Sequence, residues 1–185
     1  MRRWYAATAV LLLGLLSGCG AWLQVGGPYT SSAQGISVEF PEGWMRMNTK
    51  DVLLVTRDGV LLQYIIIQTL DSSDALKYTK KTFRRGMLPQ EVAEVILDNK
   101  ASNPDTLNFK VAENVPAKVG GRPGFKAVYT YKNKDGLRLK GLFYGAMVGE
   151  RFYGISYTAA ARHFFDLDLK TFDKTFRTFR INTDA

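Results

Sequence analysis

The chain holds a single cysteine, Cys19, and a single histidine, His163. A lone thiol rules out an intrachain disulfide and a cysteine-based zinc cluster, and a lone imidazole rules out a His-rich metal site. Acyl transfer or hydrolysis would need a nucleophile and a base within reach of one another. The sequence offers Ser156 and Tyr157 just before His163, with Asp166 and Asp168 just after it to orient the ring. One histidine at the start of a helix is more simply a surface or capping residue, so no enzyme is expected. The short acidic pairs are Glu39/Glu42, Asp71/Asp74 and Asp166/Asp168. The first two fall at a strand end and a helix start, where turn formation and capping explain single carboxylates. No metal and no cofactor is expected. Gly120-Gly121-Arg122-Pro123-Gly124 lacks the Lys-Ser or Lys-Thr that a phosphate-binding loop places after its last glycine, and a strand pattern follows it, so it reads as a turn.

Cys19 gains its meaning from what precedes it. Met1-Arg2-Arg3 supplies two charges, Ala6 to Leu16 is an apolar run, and Ser17-Gly18-Cys19 follows. A basic start, a short apolar stretch and small residues describe a secretory signal, and the run is too short to span a bilayer with ease. Leu16-Ser17-Gly18-Cys19 resembles the bacterial lipobox at every position. That resemblance implies diacylglycerol on the Cys19 thiol, cleavage before Cys19 and acylation, such as palmitate, of the new amino terminus. Two or three acyl chains hold a protein on a membrane where one is marginal. Position 20 is Gly rather than Asp, which favours the outer membrane, facing the periplasm, in a two-membrane cell. Residues 1–18 are therefore expected to be a signal peptide, 19–34 a lipidated tether and 35–185 the folded domain.

Composition agrees with a globular protein of 185 residues, 46% hydrophobic and 23% charged. Removing Arg2 and Arg3 with the leader takes the 25 basic residues to 23 against 17 acidic, a net charge of +6. Export makes nucleic acid an unsuitable partner for this field, and anionic lipid head groups or an acidic envelope protein suit it better. Lys77, Lys81, Arg84 and Arg85 would share one side of a helix over 72–86 and form a basic docking face. The same charges are also what an ordinary solvated helix face with cations near its C-terminus looks like.

The elements that must position these groups follow from periodicity. Ile36 to Phe40 alternates, Pro41-Glu42-Gly43 interrupts, and Asp58-Gly59 between Val52–Arg57 and Val60–Thr69 predicts a hairpin. Leu76, Thr79, Phe83 and Met87 are spaced as the inward stripe of a first helix. Pro89 opens a second, with Val92, Val95 and Ile96 inward and Asn103-Pro104 as its stop. Strands return over 107–115, 125–131, 137–148 and 151–158. A last helix, 161–179, carries Phe165, Leu169, Phe172, Phe176 and Phe179 on one face. The expected fold is α+β, an antiparallel sheet of about seven strands with helices packed on its faces. Tyr129, Tyr131, Phe143, Tyr144, Phe152, Tyr153 and Tyr157 give the late strands an aromatic character, which suits core packing or a ligand groove.

Three stretches, Gly35 to Trp44, Val119 to Tyr131 and Thr175 to Ile181, resemble landmarks of PsbP-like and DcrB-type domains. They are an aromatic-ended strand meeting Pro-x-Gly-Trp, a Gly-x-Pro-Gly turn feeding an aromatic strand, and a closing Phe-rich helix. The resemblance implies a non-catalytic exported protein that assists or stabilises a membrane-associated assembly. Some members bind manganese or calcium, and this chain shows no matching ligand cluster. The expected function is thus a membrane-anchored envelope lipoprotein acting as a non-enzymatic binding or assembly factor. The alternative is a small-molecule carrier or sensor with a pocket between sheet and helix.

Overall fold

A computed structural model describes residues 22–48 and 52–182. The signal segment, the lipobox residues Leu16, Ser17 and Gly18, and Cys19 lie outside the described residues. Nine strands and two helices are present among those described: β1 (Leu23–Ser31), β2 (Ile36–Asn48), β3 (Val52–Thr56), β4 (Gln63–Asp71), α1 (Pro89–Ala101), β5 (Leu107–Val119), β6 (Arg122–Lys132), β7 (Arg138–Val148), β8 (Arg151–Ala160), α2 (Phe164–Thr178) and β9 (Arg180–Ile181). One antiparallel sheet runs β1-β2-β3-β4-β8-β7-β6-β5, and β9 pairs with β2. The α+β class stands, with nine strands in place of about seven.

Strand alternation divides the core in two. Ile65 and Ile67 of β4, Leu142 and Ala146 of β7, and Tyr153, Ile155 and Tyr157 of β8 turn to one face, where Phe165, Phe172 and Phe179 cover them. Phe125, Ala127 and Tyr129 of β6, Phe143 of β7 and Phe152 of β8 turn to the other, beneath Val92, Ala93, Val95 and Ile96 of α1. The register explains how rings lie flat there. Phe125 is opposite Gly145, which is opposite Gly154. A Cβ on Gly145 would sit 2.7 Å from the Phe125 ring, and one on Gly154 would sit 2.8 Å from Phe143. The glycines are the floor on which the phenylalanines rest.

Three expectations change. Residues 23–31 form a strand paired with β2 from Leu23↔Arg46 to Ser31↔Ile36 rather than a tether. Val25, Gly27, Tyr29 and Ser31 alternate half-buried with exposed neighbours, a pattern that the Gly26-Gly27-Pro28 cluster disguises. Pro28 is tolerated because an edge strand has a free donor side, and the Pro41-Glu42-Gly43 interruption is absorbed as a bulge opposite Gly26. Paired structure therefore extends ahead of residue 35, to Leu23 among the described residues.

The second change is that no helix forms over 72–86, so Lys77, Lys81, Arg84 and Arg85 do not share a helix face. The segment is instead an irregular strap. Ser72 N–H donates to Glu150 O, Phe83 N–H to Ser72 O and Leu76 N–H to Lys81 O. Lys80 turns at φ +59°. The apolar residues read as a stripe do point inward, since Leu76 and Phe83 are buried. Only their backbone differs, because tertiary partners take up the N–H groups that a helix would use. Third, the β3–β4 connection is longer than an Asp-Gly turn. It spans 57–62, Gly59 has φ +95°, and Val60 and Leu61 are exposed. The other segments keep their predicted type within a few residues. Phe165, Phe172 and Phe179 are buried, and Leu169 and Phe176 half-buried.

Candidate functional site

A cavity of about 500 Å³ lies between the sheet and α1, closed at one side by the strap. Two of its lining residues, Tyr64 and Tyr129, end a single cross-strand row, Tyr64–Thr158–Gly141–Tyr129, fixed by the pairings of β4, β8, β7 and β6. Side-chain size along that row falls to nothing in the middle. A Cβ at Gly141 would run into the Tyr129 ring. With glycine there, the ring lies across β7 and its hydroxyl comes within 3.3 Å of Thr158 Oγ1. The Tyr64 and Tyr131 hydroxyls also meet, at 3.3 Å. Phe109 stacks on Tyr129 at 5.3 Å between centroids and leans on Tyr131 at 6.5 Å.

Helix α1 supplies the roof. Val92, Ile96 and Lys100 recur every four residues, so the inward row that begins apolar ends in a cation. The Lys100 ammonium stands 5.5 Å from the centroids of both Tyr129 and Phe143. Among the described residues no carboxylate forms an ion pair with it. Burial pulls its pKa down, and interactions with Tyr129 and Tyr64 outweigh burial, so the net shift is upward and Lys100 remains an ammonium. Burial, followed by Tyr64, raises the Tyr131 phenol far above its usual range, so it stays a hydrogen-bond donor. Asn99, beside Lys100, ties the strap down: its Oδ1 accepts from Tyr78 N–H at 2.9 Å and Thr79 N–H at 3.3 Å. Leu70, Leu76, Ile96 and Phe109 add apolar wall, and Asp74 and Lys77 stand in the lining as exposed charges.

The sequence-predicted candidates are scattered by comparison. Lys77 lies 5.0 Å from its neighbour's ring, Tyr78, at the cavity. Lys81 pairs with Asp98 at 2.6 Å on the protein surface. Arg84 and Arg85 line a separate hollow with Ser72 and Glu150. The His163 ring is exposed and meets Phe164 edge-on at 5.3 Å, while Ser156 is buried in β8. No hydrogen bond joins His163 to Ser156, Asp166 or Asp168 among the described residues. Asp168 instead works on the α2 face. It accepts from Arg57 Nη1 at 3.0 Å and from Gln63 Nε2 at 3.1 Å, clamping α2 to the β3–β4 hairpin. No group of three His, Cys, Asp or Glu residues suited to a metal occurs among the described residues. Of the aromatics singled out in sequence, Tyr129 and Tyr131 line the cavity, Phe143 and Phe152 pack beside it, and Tyr144, Tyr153 and Tyr157 serve the other face. Tyr64, Lys100 and Phe109 escaped the sequence reading. Lys100 carried a signal, a cation at an inward helical position.

No protein-family model and no curated protein sequence matches the chain. Solved structures do. Cyanobacterial PsbP (CyanoP) from Synechocystis aligns over 91% of this chain and 99% of its own, with a TM-score of 0.61 and 14% identity. The protein has a PsbP-like fold. The yeast Ran-binding protein Mog1p from Saccharomyces cerevisiae superposes over 86% of this chain and 96% of its own (TM-score 0.57, 10% identity). LpqN from Mycobacterium tuberculosis, described as involved in cell envelope biogenesis, covers 84% of this chain and 90% of its own (TM-score 0.55, 13% identity). At these identities the likeness concerns the PsbP-like fold, and the site has to be read from this chain's own residues.

Proposed function

We propose that this protein is a lipid-anchored accessory protein of the cell envelope that works by binding rather than catalysis, and that the cavity under α1 is where it takes a small molecule. The cavity is the observation that carries the reading. It has the volume of a small-ligand site, apolar and aromatic walls, and a few convergent polar groups. The anchor rests on the match of Leu16-Ser17-Gly18-Cys19 to the lipobox, and Gly20 favours the outer membrane. An accessory role in the envelope is consistent with the PsbP-like fold and with what LpqN is described as doing.

Two experiments test the reading separately. Growth with an alkyne-bearing fatty acid should label the protein in the membrane fraction, and Cys19→Ser should abolish the label. Persistent labelling of Cys19→Ser would contradict the anchor. For the cavity, Ala75→Trp at its lining should block uptake of a small aromatic probe without lowering the melting temperature. Unchanged uptake would contradict the assignment of the site.

A further inference from the structure

We infer that the cavity is built for a monoanionic carboxylate with an apolar body, its carboxylate held by Lys100 and a tyrosine hydroxyl. The inference rests on the reading of the cavity as a ligand site and adds the chemistry of the ligand. Enclosing a cation without an anion is costly, and core positions that hold one by default use an apolar side chain. Lys100 stands half-buried at the end of the inward row of α1, above two aromatic rings and with no ion-paired carboxylate among the described residues. An incoming anion supplies the missing charge.

The Tyr64–Tyr131 contact adds a donor. When two hydroxyls share one hydrogen bond, one of them donates and the accepting hydroxyl keeps its own hydrogen free to point elsewhere. Lys100 and that hydroxyl together match the two oxygens of a carboxylate. The charge balance sets the valence. Lys77 and Lys100 against Asp74 leave the lining at +1, which one carboxylate neutralises and a dianionic phosphate ester would overshoot. Asp74 Oδ2 is engaged at the rim, accepting from Asp71 N–H at 3.3 Å. The rest of the ligand meets Leu70, Leu76, Ile96 and Phe109. It should therefore be a ring or short chain rather than a sugar.

The test uses the full chain in nanodiscs of zwitterionic lipid, with empty discs as the blank. Binding of 2-naphthoate and of 2-naphthamide, a matched neutral body, is measured by calorimetry. The acid should bind at least about tenfold tighter than the amide, as a charge-assisted hydrogen bond implies. Lys100→Gln should remove that preference while leaving the amide within about twofold. Should Lys100→Gln fail to melt cooperatively, the Tyr64→Phe, Tyr131→Phe double variant takes its place. It keeps both rings and should weaken the acid selectively. Equal binding of acid and amide, or an unchanged preference in these variants, overturns the carboxylate inference and leaves the cavity reading standing. Binding of neither probe overturns both.

Discussion

The two faces of the sheet carry one helix each, yet they solve the packing problem in opposite ways. On the α2 face large rings meet large rings. Tyr144 stacks on Phe176 at 3.8 Å, Tyr157 on Phe172 at 5.4 Å, and the Tyr157 hydroxyl donates to Phe164 O at 2.8 Å. On the α1 face the strands present Gly141, Gly145, Gly154, Ser156 and Thr158, and aromatic rings lie down over them. Where the rings run out, next to Tyr64 and Tyr131, space remains. The α2 face holds the fold together, and the α1 face gives up contact to keep a cavity open.

The sharpest way to break this contrast is to remove a ring from the dense face. Phe172 is fully buried, and Phe172→Ala should cost about 3–5 kcal/mol in a urea titration while leaving probe binding by the still-folded fraction unchanged. Next in size is the clamp. Asp168→Ala strips the anion from a partly exposed Arg57 and from buried Gln63, and should cost about 2 kcal/mol, below the full penalty for a buried pair because solvent reaches Arg57. On the cavity face, Gly141→Ala must displace Tyr129 and should cost about 1–3 kcal/mol while weakening probe binding. Lys100→Met should have the smallest effect on stability, within about 1 kcal/mol, because it exchanges the ammonium's contacts with the Tyr129 and Phe143 rings for apolar packing on the same rings. A loss of 3 kcal/mol or more there would show that Lys100 is a structural element of the core.

Acid gives the clamp a distinct signature. Burial raises the Asp168 carboxyl above its usual range, outweighing Arg57, which lowers it. The hydrogen bond from Arg57 lowers Asp58 despite some desolvation. The signs oppose. Asp58 contributes stability above its unfolded pKa that is lost as pH falls through its folded value. Asp168 binds protons more readily folded than unfolded, so acid favours the folded state at that site. Asp168→Asn removes this second contribution, and its stability deficit relative to the parent should be larger at about pH 3 than at about pH 7. An equal deficit at both would mean that Asp168 titrates as it does in the unfolded chain.

Much of this was legible in the sequence, and the failures have physical causes. The stripe Phe165–Phe179 identified α2 because one helix buries one face against one sheet. The segment 72–86 reads as a helix in sequence because Leu76 and Phe83 are inward in either conformation, and spacing alone does not say which groups accept the backbone N–H. Here Asn99, Ser72 and Glu150 do. β1 was hidden because an edge strand bearing Gly26-Gly27-Pro28 has a tether's composition and reveals itself only by pairing with β2. Half the cavity could be foreseen in the tyrosines of β6. The other half depends on the register that lines up Tyr64, Thr158, Gly141 and Tyr129, residues as far as 94 positions apart, and register across four strands is a property of the folded sheet.

The most direct test of the account compares the two faces in one titration. With tyrosine and phenylalanine rings labelled for NMR, 2-naphthoate added to the full chain should shift Tyr64, Phe109, Tyr129 and Tyr131 and leave Tyr144, Tyr157 and Phe172 in place. Shifts confined to the α2 rings, or spread evenly over both faces, would contradict the claim that this fold keeps one side solid and the other open for a ligand.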